Sequence, residues 1–193
     1  MSGESSDAVG RQDPMVIQEY DPAWPARFQA IAAVVWEALG DVVQRIEHVG
    51  STAVPGLAAK PIIDVDVVVW VQSQVPEAMR RLDVLGYVHE GDLGIAGRDA
   101  FRSPSGGAEH HLYLLVEGAA ELTRHLAFRD ALRGDTALRE RYADLKRHYA
   151  ARHRSDRAAY TDAKSALINT VLKAANLQDC QKHPSVGFVG AQE

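Results

Sequence analysis

Apolar positions in this chain change their spacing several times, and each change marks an element. Phe28, Ile31, Val35 and Leu39 recur at helical spacing. They follow Tyr20-Asp21-Pro22-Ala23-Trp24-Pro25, a turn in which Asp21 can cap and proline is tolerated, and Gly40 suits the helix end. Ahead of this helix, Val16 and Ile17 make a short strand or extended arm. Residues 42–49 and 62–70 read as strands, the second apolar except for Asp64 and Asp66. Residues 76–85 return to a helical period, with Met79, Leu82 and Leu85 inward and Gly86 as the stop. Tyr87 and Val88 begin another strand, and residues 91–97 read as a flexible loop with three glycines, expected to lie beside a ligand. Residues 98–102 and 108–116 then read as a hairpin across Ser103-Pro104-Ser105-Gly106-Gly107.

The remainder is helical. Residues 119–133 carry Leu122, Leu126, Arg129 and Leu132 on one side and end at Gly134. Arg129 falls on that apolar stripe, where an arginine needs an anionic partner. Asp135 caps the next helix, whose stripe is Leu138, Tyr142, Leu145 and Tyr149. Arg139, Arg141, Lys146, Arg147, Arg152 and Arg154 make this helix basic, and interleaved acidic residues mark a solvated face. Ser155 or Asp156 caps a last helix with Tyr160, Lys164, Leu167, Ile168 and Val171 inside, so Lys164 points inward and either snorkels or meets an anion. The expected organisation is a disordered leader over residues 1–14, one domain over 15–175 and a mobile tail over 176–193.

Composition narrows the function classes. The 193 residues carry a formal net charge of −5, which argues against a dedicated nucleic-acid partner. Cys180 is the only cysteine, so one chain can form neither a disulfide framework nor a cysteine zinc site. No apolar run reaches membrane-spanning length and the N-terminus lacks an apolar signal core, so a cytoplasmic protein without a membrane partner is expected.

The candidate chemistry lies around the two strands at 42–49 and 62–70. Residues two apart on a strand share a face, so Asp64 and Asp66 project together while Ile63, Val65, Val67 and Val69 turn toward a core. Adjacent carboxylates repel unless a shared cation, a shared proton or a basic partner compensates them. Mg²⁺ suits one or two carboxylates with phosphate oxygens and water. Gly50-Ser51-Thr52 at the end of the first strand can bring backbone N–H groups close to a phosphate. The alternative, two aspartates facing water on an edge strand, fits poorly with so apolar a segment. His48 reads as a hydrogen-bonded structural residue. Lys60 is either a point charge for phosphate or a solvated loop lysine.

On the second hairpin strand, Glu109, His111, Tyr113 and Leu115 share the polar face, the natural one to lie beside the two Asp. His111 is the better candidate for the site, while Glu109 sits near the turn and is expected to be exposed. A one-residue slip would exchange His111 for His110.

Gly50-Ser51, a spacer of twelve residues and then Asp64-Val65-Asp66 on a strand resembles the nucleotidyltransferase superfamily of the DNA polymerase beta type. The fuller string His48-Val49-Gly50-Ser51-Thr52-Ala53-Val54-Pro55-Gly56-Leu57, with Lys60-Pro61-Ile62-Ile63-Asp64, resembles the GrpB family. So do Tyr20-Asp21 with Trp24-Pro25, Phe128-Arg129-Asp130, and the string from Tyr160 to Ala166. The resemblance runs over about residues 16–174. It implies a nucleotidyltransferase-like fold, found alone or fused to dephospho-CoA kinase, with an activity that is poorly defined. Members of the superfamily usually place a third carboxylate on a neighbouring strand. GrpB relatives carry a His-His-Leu-His-like string there, and Tyr113 stands at its last position here.

These readings combine into an α+β fold. A mixed, partly antiparallel sheet carries the site, with an N-terminal helix and a C-terminal helical bundle packed on it. The expected function is binding of a nucleotide or other phosphorylated small molecule with Mg²⁺, extending to nucleotidyl transfer. Asp64 and Asp66 would hold the metal, with His111 as a further catalytic candidate. Gly50, Ser51 and Thr52 would cradle phosphate, and Lys60, Arg98, Arg102, Arg129 and Lys164 would neutralise the remaining charge. The competing expectation is a non-catalytic accessory, chaperone-like or ligand-sensing domain whose aspartates are held by basic side chains. A third is a zinc or manganese hydrolase built on His111 and the two Asp.

Overall fold

In the computed structural model, the described residues are 17–152, 166 and 168–173. The leader, the tail, Lys164 and the cap at Ser155 or Asp156 lie outside them. Among the described residues, the helices α1 (Trp24–Leu39), α2 (Val75–Val84), α3 (Ala120–Gly134) and α4 (Thr136–Arg152) pack around the strands β1 (Val43–Val49), β2 (Ile63–Val69), β3 (Val88–His89), β4 (Arg98–Arg102) and β5 (His110–Val116), and residues 168–173 are also helical. The sheet order is β1-β2-β5-β4-β3. Among these strands β2 and β5 run parallel, and the other neighbours are antiparallel. This is the α+β architecture with a mixed sheet that the residue pattern predicts.

The apolar β2 is an inner strand, flanked by β1 and β5. Its Ile63, Val65, Val67 and Val69 pack with Leu112 and Leu114 of β5, Phe101 of β4 and the inner faces of α1 and α2. Trp24, Val35 and Leu39 of α1 and Leu82 of α2 are fully buried there. Each such side chain contributes about 2 kcal/mol of burial. The other sheet face meets α3 through Val68, Leu115 and Leu122. A further cluster joins Val54 and Leu57 to Phe128, Leu132, Tyr142, Val171 and Leu172, tying the loop after β1 to the helices.

Two local expectations shift. Residues 40–42 form a 3-10 turn, so β1 begins at Val43. On α4 the inward position belongs to Lys146, with Leu145 exposed. Lys146 Nζ donates to the Ala58 carbonyl at 3.2 Å and lies 5.7 Å from the Tyr142 ring centroid. The solvated-face reading therefore fails for this lysine, because a buried carbonyl of the loop after β1 supplies its partner. Arg147 keeps an exposed position and pairs with Glu19. Asp135 caps α4 as expected, its Oδ1 accepting from the Leu138 amide at 2.9 Å. Among the described residues no helix is long and apolar enough to cross a membrane.

Candidate functional site

Strand register assembles the polar face. Asp64 pairs with Val49 and His111, and Asp66 with Glu47 and Tyr113. Arg102 pairs with His111, and Ala100 with Tyr113, which puts Arg98 and Arg102 on the same face. Directly paired residues point the same way, so Glu47, Asp64, Asp66, His111, Tyr113, Arg98 and Arg102 form one polar surface. His110 takes the other face, where its Nε2 lies 2.7 Å from the buried Tyr87 hydroxyl. The register thus selects His111 over His110.

The two aspartates have different surroundings. Asp64 is partly exposed, and its Oδ1 lies 2.9 Å from Nδ1 of the half-exposed His111. Asp66 is fully buried. Its carboxylate faces His125 of α3, whose Nδ1 lies 2.8 Å from Oδ2 and 3.0 Å from Oδ1. The other ring nitrogen lies 3.1 Å from Glu121 Oε1. A neutral imidazole carries one N–H, so donation to a carboxylate from each nitrogen requires the imidazolium. Burial alone opposes that charge, but the hydrogen bonds and charges of Asp66 and Glu121 outweigh it and raise His125 to about 9. Burial raises the Asp66 carboxyl, and His125 works against that rise. Glu121 is held below its usual range: burial opposes the shift, and the bond to His125 and its charge overcome it.

This arrangement makes stability depend on pH. His125 titrates higher in the folded chain than in the unfolded one, where its value is near 6.5. Its contribution is complete below pH 6.5 and is lost as pH rises through about 9. Urea unfolding is expected to show stability declining across that window, and His125→Gln is expected to remove the decline.

Gly50 brings the turn against Asp64. It sits at φ 72° and ψ −167°, a region essentially restricted to glycine. A Cβ there would lie 2.2 Å from Asp64 Oδ2 and 3.2 Å from Asp64 Cβ. Gly50→Ala is expected to cost about 2 kcal/mol in thermal or urea unfolding and to displace the Asp64 carboxylate. Ser51 opens the 3-10 turn Ser51–Ala53, whose first amides have no partner within the turn. Thr52 is buried, 3.0 Å from His48 Nε2, and its hydroxyl donates to the Ile62 carbonyl at 3.4 Å. It braces the turn from inside. His48 stacks on Phe28 and burial lowers it to about 4, so it is a neutral structural residue, as its sequence context suggests.

The expected cations divide. Arg98 lies over the Tyr113 ring, 4.5 Å from its centroid, and its Nε donates to the Asp92 carbonyl. Arg102 is largely exposed, 3.8 Å from Glu90. Arg129 meets its anion within the protein: Nη1 donates to Glu47 Oε2 at 2.7 Å and to the His48 carbonyl at 3.2 Å, and Nε to Asp130 at 2.7 Å. Its guanidinium is committed to the end of β1, which the sequence reading had offered to phosphate. Arg129→Lys loses the forked geometry and is expected to cost about 2 kcal/mol in urea unfolding. Arg133 donates twice to the Ala53 carbonyl and pins the same loop. Lys60 is exposed on the loop before β2, and Glu109 is exposed as expected. His125, Glu121 and Glu47 were missed by the sequence reading.

The donor chemistry can be tested against Mg²⁺. Asp64 is a partly exposed carboxylate on the polar face, and one carboxylate with phosphate oxygens and water is an ordinary Mg²⁺ environment. Asp66 does not fit as a ligand, because both of its oxygens face the His125 ring in a buried position. Among the described residues no group of three or more His, Cys, Asp or Glu forms a metal cage.

The sheet, the Gly-Ser turn and the paired aspartates define a protein of nucleotidyltransferase-like fold. More narrowly, the chain belongs to the GrpB protein family, whose model matches residues 14–174. It is 36% identical over 167 residues to a UPF0157 protein of Halalkalibacterium halodurans, covering 84% of this chain and 83% of that one. The crystal structure of the conserved protein GrpB from Enterococcus faecalis superposes with a TM-score of 0.74 at 35% identity, covering 83% of this chain and 96% of that one. Cid1 poly(U) polymerase, in its Mg 3′-dATP-bound crystal structure, shares the fold at a TM-score of 0.53 and 16% identity, over 76% of this chain and 49% of that one.

Proposed function

We propose that the protein binds a nucleotide, or another small molecule with a phosphate chain, on the polar face of the sheet. The observation that carries this reading is the contact between the Asp64 carboxylate and Gly50 at the mouth of the Ser51–Ala53 turn. A carboxylate so placed would hold a hard cation, and the turn amides would donate to phosphate oxygens. Arg98, Arg102 and His111 border the same surface and supply positive charge or hydrogen bonds. Asp64 would hold Mg²⁺, which when bound neutralises and orients phosphate oxygens. The Mg 3′-dATP held by Cid1, a protein of similar fold, supports nucleoside triphosphates as the first probes.

The second reading, a ligand-sensing module without turnover, is favoured by one specific observation. Asp66, the partner carboxylate of a transfer site, is engaged by His125. Binding is therefore proposed here without a transfer step. Calorimetric titration of the full chain with each of the four ribonucleoside triphosphates, with and without Mg²⁺, tests the reading. Saturable binding that strengthens at least tenfold with Mg²⁺ is the expected result. Heats indistinguishable from dilution for all four would reject nucleotide binding.

A further inference from the structure

We propose that His125 is a built-in cation that takes the place of a divalent ion at Asp66, so that the site accepts no more than one metal ion, at Asp64. Geometry carries the inference. The imidazole of α3 lies between two carboxylates, Asp66 Oδ2 at 2.8 Å and Glu121 Oε1 at 3.1 Å, and both Asp66 oxygens face the same ring nitrogen. Asp66 is fully buried, and the His125 side chain that meets both of its oxygens is 19% exposed. An ion held by both Asp66 oxygens has to displace the ring nitrogen that now faces them.

The charges around the ring fit one cation. Asp66 and Glu121 flank it, and the Tyr113 ring lies 5.7 Å away, centroid to centroid. The Arg98 guanidinium lies over that tyrosine ring, 4.5 Å from its centroid, and Arg124 lies 3.8 Å from Glu121. Asp64 is turned to His111 and Gly50. A divalent ion bridging both aspartates would sit close to the His125 charge at low local dielectric, a repulsive arrangement. The inference holds whether or not the ligand is a nucleotide, because it concerns only how the chain compensates Asp66.

Counting Mn²⁺ bound per full-length chain, by calorimetry with free Mn²⁺ checked by electron paramagnetic resonance, tests it. Wild type is expected to bind one ion, and Asp64→Asn none. His125→Gln, which keeps a polar side chain but removes the charge, is expected to bind one ion more than wild type; His125→Lys, which restores a cation, is expected to match wild type. Wild type that binds no ion while His125→Gln binds one would remove Mg²⁺ from the proposed function and still support this inference. Two ions on wild type, or a folded His125→Gln with the wild-type count, would overturn it. Should the variant fail to fold, nitrogen-15 spectra of wild-type histidines decide: protons on both His125 nitrogens at neutral pH support the inference, and one bare nitrogen overturns it.

Discussion

Asp66→Asn is expected to destabilise the folded chain by about 3 kcal/mol, the scale for removing one member of a buried ion pair. The substitution changes almost no volume, so its effect is electrostatic. Asp66 is fully buried and faces the His125 ring, which is itself four-fifths covered, at 19% side-chain exposure. Without the carboxylate, His125 keeps only Glu121, and its charge is left partly uncompensated beside the sheet. The ring then either loses its proton, giving up a hydrogen bond to Glu121, or keeps it in a poorer environment. Both routes weaken the attachment of α3 to β2. Urea unfolding at pH 7 reads the effect directly. A loss below about 1 kcal/mol would mean that the pair is worth no more than a surface contact.

Asp64→Asn has the opposite profile. It is expected to reduce Mg²⁺-dependent nucleotide affinity by at least a hundredfold, on the order of 3 kcal/mol, while disturbing the fold less than Asp66→Asn. Asp64 is partly exposed and its imidazole partner is half-exposed, so solvent screens what the pair contributes. The amide keeps the shape beside Gly50 but removes the anionic oxygen that a hard cation requires. Calorimetry in the presence and absence of Mg²⁺ separates the effects: metal-free binding should survive better than metal-dependent binding. Unchanged Mg²⁺-dependent affinity in a folded Asp64→Asn variant would exclude Asp64 as the metal-holding residue.

Much of the fold follows from period alone. The alternation in β2 sends Val65, Val67 and Val69 to one face and the two aspartates to the other, and register confirms that division. The same reasoning places His111 beside Asp64. Gly50 was legible as a turn glycine, whereas its contact with Asp64 depends on how β1 and β2 pair. Arg129 was legible as an arginine in need of an anion, and Glu47, remote in sequence, supplies it. What the residue pattern hid was polar chemistry on helices. His125 stands three residues after Leu122 and four before Arg129, on the stripe that faces the sheet, and four after Glu121. That spacing marks an inward histidine with a helical carboxylate neighbour. Its meeting with Asp66 depends on where α3 crosses the sheet. Lys146 was hidden for a related reason: helical charge patterns assume that lysines face water, and a buried Ala58 carbonyl overrides the assumption.

The division of labour between the two aspartates is the central claim. It is tested most directly by anomalous diffraction from crystals of the protein grown with Mn²⁺ and a non-hydrolysable nucleoside triphosphate. The account requires a single manganese peak, in contact with the Asp64 carboxylate and phosphate oxygens, with the His125 ring still between Asp66 and Glu121. A peak bridging Asp64 and Asp66, with His125 moved aside, would contradict it.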